Sequence, residues 1–127
     1  MTILEALQHP ALPLLTFLLG VLLGHRTALW RDRRKEFNEA CDPVRAWALA
    51  EAKGPSAYRA APGLADWDRL QQRTSARHWR RIDAARRAHA QACEQQRERG
   101  ALGDVTYTDP APVQRAALVL AGLLKQR

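Results

Sequence analysis

Residues 11–24 read ALPLLTFLLGVLLG and carry no charge, and the basic stretch RDRRK follows at residues 31–35. An apolar run with basic residues on one side is typical of a membrane helix whose charged flank sets its orientation. As a helix the uncharged run would rise only about 21 Å, against a hydrocarbon core of roughly 30 Å, so the flanks decide the assignment. Counting from Leu7 to Trp30 gives enough length to span with modest mismatch, and Trp30 suits the headgroup region. We therefore predict a single-pass membrane helix.

The charges around this helix predict its orientation. Before residue 11 the charged residue is Glu5, whereas every Lys and Arg of the chain lies after Gly24. The positive-inside rule then places the amino terminus outside and the bulk of the chain in the cytoplasm. The abundance of Ala and Arg suggests a high-GC bacterial or phage source, and the expected location is the bacterial inner membrane. A cleaved signal peptide fits poorly, because the amino end has no basic residue and no small-x-small cleavage site. The residues expected to set orientation and contact anionic lipid are Arg26, Arg31, Arg33, Arg34 and Lys35.

Small residues recur at intervals of four within the apolar helix. Gly20 and Gly24 form a GxxxG match, which allows two helix backbones to approach closely in lipid. We expect this face to associate with a second copy or with another membrane protein. Its residues are Thr16, Gly20, Gly24 and Ala28.

The rest of the chain is strongly basic and has room for one small domain. The whole chain has 127 residues and a formal net charge of +7, which favours anionic partners such as lipid headgroups, nucleic acid or an acidic protein face. Sparse aromatic residues and the lack of a helix-turn-helix or RNA-binding signature argue against nucleic acid. The alternative is that the basic residues form a solvated helix face and bind no ligand. The candidate surface for phosphates or an acidic partner comprises Arg69, Arg73, Arg77, Arg80, Arg81, Arg86 and Arg87.

The sequence predicts an all-α fold, in which a single N-terminal transmembrane helix precedes a small helical cytoplasmic domain of three or four helices. Asp42-Pro43 is expected to end one helix and start the next, and Gly54-Pro55 to stop it. The predicted segments are an anchor with its amino terminus outside at 1–30, a juxtamembrane basic helix and second helix at 31–54, a loop at 55–63 and a helical domain at 64–127.

Within the helical domain, we expect a helix from Leu64 to Arg99 that is interrupted near Thr74-Ser75. Val105 and Tyr107 alternate as in a short strand, and Asp109-Pro110 should open the last helix. That helix contains AALVLAGLL at residues 116–124 and is apolar nearly all round. It has two interpretations. It is either the central element of a small bundle, packed by Trp47, Trp67 and Trp79, or a helix that docks on a partner or a membrane face.

Candidates for chemistry are weak. His89 and Cys93 are four residues apart and would share a helix face, as two metal ligands do, but no second pair at ligand spacing completes a site. A packed histidine and a buried thiol are the favoured interpretation. We expect Cys41 and Cys93 to be reduced thiols in the cytoplasm. No phosphate loop, nucleophile elbow or paired carboxylates stand out, so we predict no enzyme activity, no catalytic residue, no metal and no cofactor.

The order of three segments in this chain resembles that of small single-pass membrane proteins of bacterial and prophage genomes. The segments are the apolar anchor, then RRKEFNEACDPVRAW at residues 33–47, then GDVTYTDPAPVQRAALVLAGLL at residues 103–124. The resemblance implies an anchored helical cytoplasmic domain and no mechanism. Our leading hypothesis is a membrane-tethered interaction or adaptor module with a protein partner at the inner face. One alternative is a small holin-like or toxin-like oligomer that permeabilises the bilayer. Another is a soluble helical protein with residues 11–24 as its core helix.

Overall fold

The computed structural model describes residues 2–125, and in this part of the chain it is mostly helical. The single sheet of the described residues is a two-stranded antiparallel hairpin. The predicted helical class and the long apolar helix near the amino terminus are therefore confirmed. The elements are α1 (Ile3–Leu7), α2 (Ala11–Lys53), α3 (Leu64–Gln72), α4 (Ala76–Gln96), β1 (Arg97–Arg99), β2 (Val105–Tyr107) and α5 (Ala111–Leu123).

The chain divides into two compact units, Met1–Lys35 and Glu36–Arg127. The first unit contains α1 and the apolar part of α2. The second contains the remainder of α2 and all later elements, and it has a hydrophobic core of its own. The finer segment boundaries expected from the sequence remain predictions.

Helix α2 continues through Pro43, so the predicted break at Asp42-Pro43 is wrong. Proline inside a helix removes one backbone hydrogen bond and crowds the preceding turn, at a cost of about 3 kcal/mol. Here Cys41 and Val44, which flank the Asp42-Pro43 pair, are fully buried in the core of the second unit. Their packing holds the backbone helical, so tertiary contacts override a local stop signal. The helix ends at Lys53, immediately before the predicted Gly54-Pro55 stop.

The core of the second unit is made by one face of each of its helices. Trp67 is buried, and Trp47 and Trp79 are half-buried against the same cluster, as the bundle interpretation requires. The last helix is apolar nearly all round, but only one of its faces lies in this core. Leu118 and Val119 of α5 are 57% and 60% exposed. The buried cluster comprises Phe37, Ala40, Cys41, Val44, Ala48, Trp67, Leu70, Ile82, Ala85, Leu120, Ala121 and Leu124.

Local signals account for several of the element ends. Ser75 caps α4, because its hydroxyl accepts a hydrogen bond from the backbone N–H of His78 at 3.3 Å. The predicted interruption near Thr74-Ser75 is therefore confirmed. The Asp109 carboxylate accepts from the backbone N–H of Ala111 at 3.1 Å, at the start of α5.

The hairpin changes one predicted boundary. The strand at Val105 and Tyr107 is confirmed as β2, but α4 ends at Gln96 and not at Arg99. The reason is the partner strand β1, whose Arg97 pairs with Tyr107 and whose Arg99 pairs with Val105. Pairing with a strand later in the chain is not visible in the local pattern of residues 97–99.

Candidate functional site

The apolar part of α2 is exposed along its whole length. Residues 11–30 are all solvent-exposed in the structure, and α2 is long and apolar enough there to cross a membrane. Among the described residues, the hydrophobic core includes none of these side chains. Twenty helical residues rise about 30 Å, which matches the hydrocarbon core of a bilayer.

The two threonines of this segment satisfy their hydroxyls inside the helix. Thr16 donates to the carbonyl of Leu12 at 2.9 Å, and Thr27 donates to the carbonyl of Leu23 at 2.8 Å. A hydroxyl bonded to its own backbone needs no water, so neither residue opposes burial in lipid.

The small-residue face keeps open space around its glycines. A Cβ added at Gly20 or Gly24 would meet no atom within 4 Å apart from its own helix backbone. Thr16 and Ala28 are exposed as well. Each of the four positions can therefore be approached from outside, and association through this face remains a prediction.

The predicted orientation residues are exposed on the following turns of the same helix. The Arg34 guanidinium lies over the Trp30 ring, 5.4 Å from its centroid. This cation–π contact joins a basic and an aromatic residue that both favour the headgroup region. The other members, Arg26, Arg31, Arg33 and Lys35, are exposed too.

The arginine surface expected on the helical domain is divided by the structure into two sets. Three of its members are engaged within the protein. Arg73 lies 2.9 Å from the Glu36 carboxylate, and Arg87 lies 2.9 Å from that of Asp83. The Arg86 guanidinium stacks over the Trp67 ring at 4.4 Å from its centroid. Within residues 2–125, no carboxylate lies within 4.0 Å of the others, which are Arg69, Arg77, Arg80 and Arg81.

A buried polar cluster that sequence analysis missed lies at the end of α2. Glu51 is only 2% exposed, and the Arg59 guanidinium approaches its carboxylate to 2.6 Å. The same guanidinium donates to the carbonyl of Gly54 at 2.8 Å, which holds the loop after α2 against the helix end. A sequence signal was present. Glu51 follows Val44 and Ala48 at helical spacing, so it occupies a position that faces the core.

His89 packs against this ion pair. Its Nε2 lies 3.7 Å from the Glu51 carboxylate, and its ring meets the Trp47 ring edge-on at 5.0 Å between centroids. Burial lowers the pKa of His89 below its ordinary value of 6.5, although Glu51 opposes the shift. The physical reason is desolvation, because burial removes the water that would stabilise the charged form of the ring.

Cys93 completes the cluster, on the same face of α4 as His89. Its Sγ lies 3.7 Å from the His89 Nε2, so the predicted shared face is confirmed. Burial raises the pKa of the Cys93 thiol, while a hydrogen bond with Tyr107 works against that shift. Burial, together with that hydrogen bond, raises the pKa of Tyr107 to about 12. The pKa shifts of His89 and Cys93 both favour the neutral forms of the two side chains.

The sites of the described residues are therefore an exposed apolar helix, a basic surface and a packed polar cluster. Among these residues, no group of three or more His, Cys, Asp or Glu side chains could hold a metal ion. No family model matches this chain, and no curated protein or solved structure shows significant similarity to it.

Proposed function

We propose that this protein is a membrane-tethered helical interaction module, a subunit of a larger membrane-associated assembly. Residues 11–30 cross the membrane with the amino terminus outside, and the unit from Glu36 onward acts at the cytoplasmic face. One observation carries the proposal: an exposed apolar helical segment of membrane length precedes, along the chain, a unit that has its own hydrophobic core.

The exposed apolar side chains supply the physical argument. Phe17 is 67% exposed, and Leu22 and Leu23 are both 64% exposed. Soluble monomers rarely leave so large a contiguous apolar patch in water, since burying each such side chain stabilises by about 1.5–3 kcal/mol. A lipid environment buries these side chains along the whole segment and so removes the cost of exposing them to water.

The charge pattern supports the orientation and the contact with lipid. Basic residues follow the apolar segment directly, and each contributes about 1 kcal/mol of favourable binding free energy near an anionic leaflet. The Trp30–Arg34 pair is suited to the boundary between acyl chains and headgroups.

Carbonate extraction of membranes from cells that express the full chain tests the anchor. We expect the protein to stay in the membrane pellet, and release of the wild-type chain into the supernatant would overturn the proposal. Leu19→Arg should release it, because a central arginine opposes insertion by about 2.5–3.5 kcal/mol. Leu118→Arg is the matched control, since Leu118 has nearly the same exposure, 57% against 59%, but lies on α5. This variant should stay in the pellet.

Association through the anchor is tested by crosslinking and by affinity purification from mild detergent. The double substitution Gly20→Ile and Gly24→Ile should reduce crosslinking to a second copy or to a co-purified membrane protein, because branched side chains block close approach. The helix itself tolerates the change, since both positions are open. Leu22→Ile, on the opposite face, is the control. An unchanged crosslinking yield in the glycine variant would reject this face, and loss of membrane potential on expression would favour a pore instead.

A further inference from the structure

Three arginines at the start of α4 form a compact basic triangle. Arg77, Arg80 and Arg81 occupy positions i, i+3 and i+4, and all three are exposed. Residues at i+3 and i+4 lie about 5–6 Å from residue i between Cβ atoms, so the three guanidinium groups can reach one common patch. We call this set the α4 arginine triad.

The triad's charge is not compensated within the described part of the chain. No carboxylate of residues 2–125 lies within 4.0 Å of any of the three, and the first turn of α4 has no acidic residue. The nearest acidic residue along the helix, Asp83, pairs with Arg87 at 2.9 Å. Farther along the triad's face come Ala84 and Ala88, which are exposed and uncharged. The exposed arginines of α4 that have no carboxylate within 4.0 Å in the described residues thus lie together at one end of the helix.

We propose that the α4 arginine triad is a docking surface for the phosphates of an anionic phospholipid bilayer. Guanidinium groups match phosphate geometry, and a planar array of headgroups needs no complementary groove. Trp79, the tryptophan of α4, is half-buried against the core, so the helix offers no exposed tryptophan on which a nucleic-acid base could stack. This inference rests on the proposed function for the presence of a bilayer, and it names the ligand of the basic surface.

The test uses the full chain in nanodiscs of phosphatidylcholine, so that the bilayer around the anchor carries no anionic lipid. Binding is measured to separate vesicles of phosphatidylcholine with or without phosphatidylglycerol. We expect binding only when phosphatidylglycerol is present. The variant R77Q/R80Q/R81Q should lose apparent affinity by about 100-fold, as expected for three arginines at an anionic surface. The variant R77K/R80K/R81K keeps the charges and should bind within about fivefold of the wild type.

The matched control is R73Q/R87Q/R97Q, which also removes three positive charges. Each of these arginines already has a carboxylate partner, at 2.9 Å for Arg73 and Arg87 and at 3.4 Å for Arg97. This control should bind phosphatidylglycerol nearly as well as the wild type. Equal losses in the two glutamine variants would overturn the inference, because net charge alone would then explain binding. Triad-dependent binding to single-stranded RNA or to polyglutamate without binding to phosphatidylglycerol would overturn it as well.

The proposal about the anchor and the proposal about the triad can be refuted separately. A chain that does not enter nanodiscs refutes the anchor, and its binding to vesicles can then be measured without nanodiscs. A chain that enters nanodiscs but ignores phosphatidylglycerol refutes the triad alone.

Discussion

The Arg59 guanidinium lies 2.6 Å from the Glu51 carboxylate, and their side chains are unequally exposed, at 31% and 3%. Arg59 belongs to the loop after α2, eight residues beyond its partner. The pair therefore fastens the loop to the end of the helix with one buried and one partly hydrated charge. Removing the arginine and removing the glutamate should have different consequences. Only the partly exposed arginine can be hydrated once its partner is lost.

Arg59→Ala should destabilise the protein more than Glu51→Gln does. The first change leaves a buried carboxylate without its partner, which costs about 3–5 kcal/mol. The second leaves an arginine that can be hydrated, and a cost of about 1–2 kcal/mol is expected. Thermal unfolding of the full chain in mild detergent, followed by circular dichroism, measures the difference. Equal losses for the two variants would contradict the unequal exposure of the pair.

Acidification should destabilise the protein through His89. Its pKa is lowered in the folded state, so the unfolded chain binds the proton first as the pH falls below about 6.5. The stability is fully present above that pH and decreases as the pH falls toward the folded pKa. Urea unfolding between about pH 7 and pH 5 should show a slope, in which the free energy of unfolding decreases as the pH falls.

The slope should be absent in a His89→Gln variant, whose amide does not titrate. The control His78→Gln keeps His89 and should keep its slope, although it disturbs the 2.9 Å contact between His78 and the Leu123 carbonyl. A slope that survives in the His89 variant would place the responsible group elsewhere.

Replacing Pro43 by alanine should stabilise the second unit. Alanine restores a backbone N–H inside α2 and removes the steric crowding of proline, for an expected gain of about 1–3 kcal/mol. Hydrogen exchange over residues 38–47 should slow. Pro13→Ala is the control, because proline in a first turn is tolerated and that change should leave these residues unaffected. Faster exchange in Pro43→Ala would show that the proline supports the local backbone.

Gly103→Ala should weaken the hairpin. Gly103 has a φ of 82°, a left-handed conformation that costs other residues roughly 1–2 kcal/mol. Gly54→Ala is the matched control, since a Cβ there would meet no atom within 4 Å and its φ is not positive. Hydrogen exchange at Gly100 and Thr108 reports the outcome, because their N–H groups donate across the hairpin to the carbonyls of Asp104 at 2.7 Å and Gln96 at 2.8 Å. Equal exchange in the two alanine variants would contradict a strained turn at residue 103.

Tertiary context also explains which site features the sequence could predict. The apolar helix, its basic flank and the row of small residues are local patterns, so each could be read directly from neighbouring residues. The engagement of Arg73 was not predictable in this way, because its partner Glu36 is 37 residues away. The sequence therefore predicts one arginine surface, whereas the structure divides its members into those engaged within the protein and those with no carboxylate nearby.

By itself the sequence determined the long apolar helix, the stop at Gly54-Pro55, the interruption near Thr74-Ser75 and the strand at residues 105–107. Each depends on backbone preferences or periodicity within a few residues. Only the tertiary structure decided that α2 continues through Pro43 and that β1 forms. It also brought Glu51, His89 and Cys93 into one buried cluster. Burial and pairing with residues far along the chain contribute free energies that exceed local preferences, and no local pattern contains them.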